Sequence, residues 1–300
     1  GMTLTPAAGD YLVWFTGDLQ HADQNQTITT TIYAAGVAQA NLKRAQEGLR
    51  ALEEYTKTFN PRIAQRLEQL RYGMYTIERR LVLAGRANTS LANVLLYWLC
   101  EPSILPRSLE WMVREAAGGG VGAIQLRDKS LNDRDLLQAA RKLRAITQEL
   151  GIVFIVNDRP DIARLAEADG VHVGQEELSI QDARRIVGPD MLIGTSAHSI
   201  EQAQQAVIDG ADTMGIGPLF PSKTKKFERF VGLDLMKQVA EEIRLPAFAI
   251  GGIDTSTIDQ VIAAGAKRIA VGRCMNSSDN PRAVAEELFS KLPPATPTAP

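Results

Sequence analysis

Beyond residue 90 the chain repeats one pattern eight times: a short apolar run of strand length, then a stretch with the period of a helix. The runs fall at 94–99, 123–126, 153–156, 170–173, 192–194, 213–216, 247–250 and 268–271. Helical patterns between them include 133–150, 180–187, 200–209, 233–243 and 256–264. Such alternation demands parallel strands joined by right-handed crossovers, because each helix carries the chain back to start a strand in the same direction. Eight near-equal units in roughly 200 residues predict a (β/α)8 TIM barrel. An open doubly wound sheet has no need of eight equal repeats.

The region ahead of this repeat has a different rhythm. Leu42, Ala45, Leu49 and Leu52 recur at helical spacing, with Lys and Glu on the other faces. Asn60-Pro61 interrupts, and Ile63, Leu67, Leu70, Met74, Ile77 and Leu81 mark a second amphipathic helix. Two such helices across a short break predict an antiparallel α-helical hairpin. The expected organisation has four parts. A poorly defined segment over 1–34 holds a short strand at 11–15 and a Gln/Thr-rich loop. A helical extension over 35–90 follows, ending in a linker at 85–90, then the barrel over 91–291, then a disordered Pro-rich tail over 292–300. Gly1 ahead of Met2 reads as an expression scar.

A formal net charge of -2 lacks the bulk field of a nucleic-acid binder, so anions must be recognised by local clusters. No apolar run approaches the ~18 residues of a membrane helix. Cys100 and Cys274 stand far apart with no CxxC or Cys/His cluster, which argues against a disulfide framework or zinc site and fits a reducing cytoplasm. The expected partners are small molecules rather than nucleic acid or membrane, with a homo-oligomer left open.

In a barrel of this kind the chemistry gathers where strands end and their loops begin. The second run ends in Gln125, Arg127 and Lys129, the third in Asn157-Asp158, and the fourth in His172, Gln175, Glu176 and Glu177. The fifth ends in Ser196 and His198, and the sixth runs into Ser222, Thr224, Lys225 and Lys226. Gly251-Gly252 and Gly272-Arg273 close the seventh and eighth. Collected on one rim, these groups predict a site for an anionic ligand. Gln125, Arg127 and Lys129 share one side of an extended chain, with Ile124 and Leu126 on the other. Gly251-Gly252 precede a helix-start signal, and bare N–H groups there suit a phosphate. Arg127, Lys129 and Lys225 make a second anion site, while Asp158 and Glu177, ending adjacent strands, suit a hard cation such as Mg2+. Magnesium between carboxylates, with Lys and Arg beside it, is how proteins manage a diphosphate.

QLRDK, IVNDRPDIA, DGVHVGQEE, GTSAHS, GPLFPSKTKK and AIGGI, in this order and spacing, resemble the thiamine-phosphate synthase family over about residues 91–290. The resemblance implies a Mg2+-dependent transferase of thiamine biosynthesis. It would couple 4-amino-2-methyl-5-(diphosphooxymethyl)pyrimidine to a thiazole phosphate, giving thiamine phosphate and pyrophosphate. By the same resemblance Gln125, Arg127, Lys129, Asn157, Ser196 and Lys225 contact the pyrimidine diphosphate, with Arg127, Lys129 and Lys225 as the catalytic cations. Ser222, Thr224, Gly252, Gly272 and Arg273 hold the thiazole phosphate, and Asp158 and Glu177 the metal. Glu177 stands where the family usually has Asp, with Glu176 as a substitute ligand, and Arg273 where it often has a small residue.

The implied chemistry needs no nucleophilic side chain. Diphosphate leaves the pyrimidine methylene, the thiazole nitrogen attacks the cation formed there, and the protein neutralises the leaving group and aligns the rings. His172, mid-strand, is expected to orient or pack, and His198 to be a first-turn surface residue of a helix. ANLKRAQEGLRALEEY resembles a helical extension found ahead of the synthase domain in some bacterial members. Two rivals stand beside this reading. A thiazole tautomerase on the same barrel is kept in play by His198 but has no use for a diphosphate grip. A non-catalytic sensor of phosphate ligands, with the hairpin as its partner face, needs fewer charged residues than this rim carries.

Overall fold

The computed structural model describes residues 24–58, 60–71, 91, 93–220, 231–243 and 245–294. The chain divides into a smaller unit, Gly1–Met74, and a larger one, Tyr75–Thr298. In the smaller unit α1 (Gln24–Lys57) is followed by a second helix, α2, described over 61–71. Asn60 caps α2, its side chain accepting from the Ile63 N–H at 3.3 Å, and Pro61 takes the first helical position, where its missing N–H costs nothing. The Gln/Thr-rich segment expected as loop is helical from Gln24 onward. Once the amphipathic part has nucleated, propagation carries a helix into residues of poor propensity.

The expected apolar stripes are only partly right. Gln46, Glu53 and Thr56 form the buried line of α1, while Leu52, Ile63 and Leu70 are exposed. Glu53 earns its place through ion pairs with Lys57 at 3.0 Å and with Arg71 at 2.9 Å, the latter joining the two helices. The strand expected at 11–15, Met74, Ile77, Leu81, the 85–90 linker and the last six residues of the tail lie outside the described residues.

In the larger unit eight parallel strands pair in chain order and close into a barrel, β1 on β8. They are β1 (Leu96–Cys100), β2 (Val121–Leu126), β3 (Val153–Asn157), β4 (Gly170–Val173), β5 (Leu192–Ala197), β6 (Thr213–Ile216), β7 (Ala247–Ile250) and β8 (Ile269–Val271). Outside lie α3 (Leu109–Gly118), α4 (Asp133–Leu150), α5 (Pro160–Leu165), α6 (Ile180–Val187), α7 (Ile200–Asp209), α8 (Gly232–Glu242) and α9 (Ile258–Ala263). After β8 come α10 (Arg273–Asn276) and α11 (Pro281–Lys291). The expected TIM barrel is the observed fold.

Two clusters share the strands by alternation, broken at the start of β2, where the register against β1 shifts between Leu96 and Tyr97 and Val121 joins the outer cluster. Trp98, Ile124, Leu126, Phe154, Val156, Ile193, Ala249 and Ile269 join residues of the surrounding helices in the outer core. Tyr97, Ala123, Ile155, Leu192, Phe248 and Ala270 form a smaller cluster inside the barrel. Side chains two apart share a face, so Gln125, Asn157, His172, Ser196 and Ile250 take the inward parity at the C-terminal ends of their strands. The larger unit thus sends its site residues up through the barrel rather than outward to the helices.

Candidate active site

Gln125 is 3% exposed and donates from Nε2 to the Tyr97 hydroxyl at 2.8 Å. Tyr97 rests edge-on against Phe248, ring centroids 5.2 Å apart, so the amide is held from β1 and β7 as well as by its own strand. Burial raises the Tyr97 hydroxyl pKa, keeping it a neutral partner. The Arg127 N–H then donates to the Cys100 carbonyl at 2.8 Å. Arg127 is half-buried and Lys129 exposed, so the expected three-residue face climbs from barrel interior to rim.

Lys129 Nζ lies 3.4 Å from Asp158 Oδ2 and 4.0 Å from Glu177 Oε1. One ammonium therefore sits within reach of both carboxylates expected to hold a cation. Asp158 adopts φ 60°, left-handed backbone that Asp tolerates better than most residues, and its N–H donates to the His172 carbonyl at 2.7 Å. The Glu177 side chain folds back over Gly174, where a Cβ would stand 2.3 Å from Oε2. A side chain at 174 would push the carboxylate out of this position. Glu176 is exposed on the same loop. Among the described residues no group of three or more His, Cys, Asp or Glu converges as a metal cage. Two converging carboxylates fit Mg2+, which keeps several waters and takes further oxygens from a bound diphosphate.

Deeper in, the His172 Nε2 lies 3.0 Å from the Ser196 hydroxyl. The imidazole has room because its register partner on β5 is Gly194, and Gly215 on β6 lies beyond. Burial, chiefly, pushes His172 down to about 4, the Arg127 guanidinium adding to the effect and Asp158 opposing it. It is a neutral, orienting residue, as its mid-strand position predicts. β5 continues through Ser196 rather than ending at Gly194, which seats this serine in the ladder beside Gly215. Gln175 donates from Nε2 to the Ser196 carbonyl. His198 corrects its expectation: it precedes the Ser199 cap of α7, is partly buried, and turns its Nδ1 to the Gly217 carbonyl.

The seventh and eighth strand ends supply backbone rather than side chains. Gly251 and Gly252 sit at φ 96° and 67°, and a Cβ on Gly251 would meet the Pro218 Cα at 2.6 Å. The Asp254 carboxylate accepts from the Ser256 N–H at 2.9 Å and its hydroxyl at 2.6 Å. That turn occupies residues expected to be helical, so α9 starts only at Ile258. Thr257 Oγ1 donates to the Gly252 carbonyl at 3.2 Å, bracing the glycine pair. Gly272 caps α10, and Arg273 opens it with an exposed side chain. Burial, the main cause, raises the Cys274 thiol to about 11.

The structure thus brings together Gln125, Arg127, Lys129, Asp158, Glu177, His172 and Ser196, with Asn157 at the end of β3 beside them. Ser222, Thr224, Lys225 and Lys226 lie outside the described residues. Tyr97, Asp128, Gly174 and Gly194 also shape the site and were not singled out from sequence. A wide cleft at the opposite end of the barrel carries Arg144, Arg164, Asp169 and Asp190. Its charges are engaged locally, Arg144 with Asp169 at 2.9 Å and Arg164 with the Val187 carbonyl at 3.0 Å.

Residues 96–275 match the family model of thiamine monophosphate synthase, and residues 16–80 that of the ThiD2 family. The chain is 44% identical over 256 residues to thiamine-phosphate synthase from Gloeobacter violaceus, covering 85% of this chain and 74% of that protein. It is 39% identical over 275 residues to the thiamine-phosphate synthase of a Nostoc species, covering 92% and 76%. Among solved structures, thiamine phosphate pyrophosphorylase from Pyrococcus furiosus superposes with a TM-score of 0.61 at 35% identity, over 67% of this chain and 96% of that one.

Proposed function

The chain belongs to the thiamine-phosphate synthase family, and from that premise we propose how its barrel rim divides the work of the reaction. It is a transferase of thiamine biosynthesis that couples a pyrimidinylmethyl diphosphate to a thiazole phosphate, giving thiamine phosphate and pyrophosphate. The tautomerase and sensor readings are not favoured, since relatives across most of its length carry the synthase name.

Arg127 and Lys129, with Lys225, grip the diphosphate. The guanidinium offers a fork to two phosphate oxygens, and the ammonium a mobile point charge that neutralises the leaving group as it departs. Gln125, fixed by Tyr97, and Ser196, fixed by His172, orient the pyrimidine diphosphate with Asn157. Gly252, Gly272 and Arg273 hold the thiazole phosphate with Ser222 and Thr224. Two left-handed glycines in succession support this role, because they let backbone approach an anion that side chains would otherwise keep away.

Asp158 and Glu177 would hold Mg2+. The observation that carries this is Lys129 lying 3.4 Å from one and 4.0 Å from the other, so the pair already focuses on one cation. When bound, the metal supplies charge neutralisation for the leaving diphosphate. The chain's own part is to aim two oxygens at one point and keep the grip beside it. We assign the helices ahead of residue 91 to a separate helical domain, which begins before the expected residue 35 because α1 starts at Gln24, and 91–291 to the synthase domain, working in the cytoplasm, where both free cysteines stay reduced.

The test is pyrophosphate release titrated against Mg2+. Glu177→Asp should retain activity and need more metal, since the shorter side chain restores the family's usual ligand at the cost of reach. Asp158→Ala should fail at any ordinary Mg2+ concentration. Full activity of Asp158→Ala, or metal-independent turnover of the parent, would remove this pair as the metal site.

A further inference from the structure

The β-ladder stops holding the chain before the grip is complete. β2 ends at Leu126, and the last bond of ladder type is the Arg127 N–H to the Cys100 carbonyl at 2.8 Å. Nothing in strand pairing then keeps residues 127 and 129 on a common side, although both cations must meet one ligand.

The residue between them does this work. Asp128 is only 6% exposed, while its two neighbours are half-buried and exposed. Its Oδ2 accepts the Ser103 N–H at 2.8 Å. Its Oδ1 accepts the Ser130 N–H at 3.0 Å and the Ser130 hydroxyl at 2.6 Å. Ser103 lies in the short 3-10 turn Pro102–Ile104 that leaves β1, so one carboxylate ties the exits of two adjacent strands. A carboxylate accepts at both oxygens and donates at neither, which makes it the right group to face three donors from two directions. With Asp128 tied to the β1 exit on the side that Leu126 takes, the alternation of an extended chain turns Arg127 and Lys129 the other way, and Lys129 arrives over Asp158 and Glu177.

We propose that Asp128 is a positioning residue for the diphosphate grip: it clamps the exit loop of β2 to that of β1 and so fixes where the Lys129 charge stands. This rests on the reading of Lys129 as a diphosphate contact, and the experiment separates the two. Asp128→Asn keeps the shape but points an amide donor at the N–H of Ser103 or of Ser130. It should raise the KM for the pyrimidine diphosphate about tenfold and leave the KM for the thiazole phosphate within about twofold, with the thermal midpoint little changed. In a Lys129→Ala background the same substitution should add almost nothing, because the group it positions is gone. Ser130→Ala, which removes one of the three bonds on the exposed side, should show the same coupling with a smaller factor, and serves if Asp128→Asn does not fold.

If Lys129→Ala alone leaves the pyrimidine diphosphate KM unchanged, the grip reading falls and the positioning role falls with it. If Lys129→Ala raises that KM but Asp128→Asn still exerts its full factor on top, the grip stands and the positioning role is overturned. A change in both KM values together, tracking a lowered thermal midpoint, also overturns it.

Discussion

Gly194→Ala probes the room that the barrel keeps for one imidazole. The new Cβ would lie 2.7 Å from His172 Nδ1 and 3.1 Å from Thr213 Cγ2. Ordinary contact begins near ~3.4 Å, so the ring must retreat by about 0.7 Å or the strand must bend. Retreat is open only toward Gly215, which carries no side chain and where even an added Cβ would stand 3.6 Å from the ring's Cε1. It also costs the bond to Ser196, now 3.0 Å, because a shift of that size carries it past the useful range. Overpacking of this kind costs ~1–3 kcal/mol and the lost hydrogen bond ~1 kcal/mol more, giving ~2–4 kcal/mol in all. Urea unfolding should report that loss, and the KM for the pyrimidine diphosphate should rise as the Ser196 hydroxyl loses its orientation. The decisive comparison is the same substitution in His172→Ala, where the ring clash and the Ser196 bond are gone and only the Thr213 contact remains, so the cost should drop to about 1 kcal/mol or less. An equal cost in both backgrounds, or none in either, would refute the reasoning.

Gly251→Ala should raise the KM for the thiazole phosphate at least tenfold and spare the pyrimidine diphosphate, since φ 96° and the Pro218 contact at 2.6 Å force the glycine pair to move. Equal KM values for parent and variant would take Gly251 out of the phosphate cradle. The third prediction concerns pH. His172 has its folded pKa depressed from 6.5 to about 4, so the unfolded chain binds the extra proton first as pH falls. Its contribution is therefore neutral above about pH 7 and turns against folding between 6.5 and 4, reaching about 2 kcal/mol by pH 5. Relative to His172→Asn, the parent should lose that much more stability between pH 7 and pH 5 in urea titrations. Parallel losses in the two proteins would show that the ring is not held neutral by the fold.

What could be read in the sequence depended on how far each cause lies from its effect along the chain. Strand periodicity is local, so all eight runs were found, and β4, β6 and β7 match to the residue. The parity of Gln125 followed from the same rule. Asn60-Pro61 is a helix start written in two adjacent residues. Glu53 was hidden because the Arg71 that stabilises it stands on the next helix, and a stripe rule then prefers Leu52, which is exposed. Gly174 lies under the carboxylate of Glu177, three residues on, and Gly194 faces a ring on the neighbouring strand that only the register brings opposite. Asp128 is the sharpest case. Within QLRDK it looks like one more rim charge, yet its partners Ser103 and Ser130 make it an internal acceptor that faces away from the ligand side. A motif marks where chemistry is concentrated, but it does not separate the residues that touch the substrate from those that aim them. Gln125 and Asp128 are both buried, so the division is set by which side of the strand each takes and by what meets it there, and that is a property of the closed barrel rather than of any five residues in it.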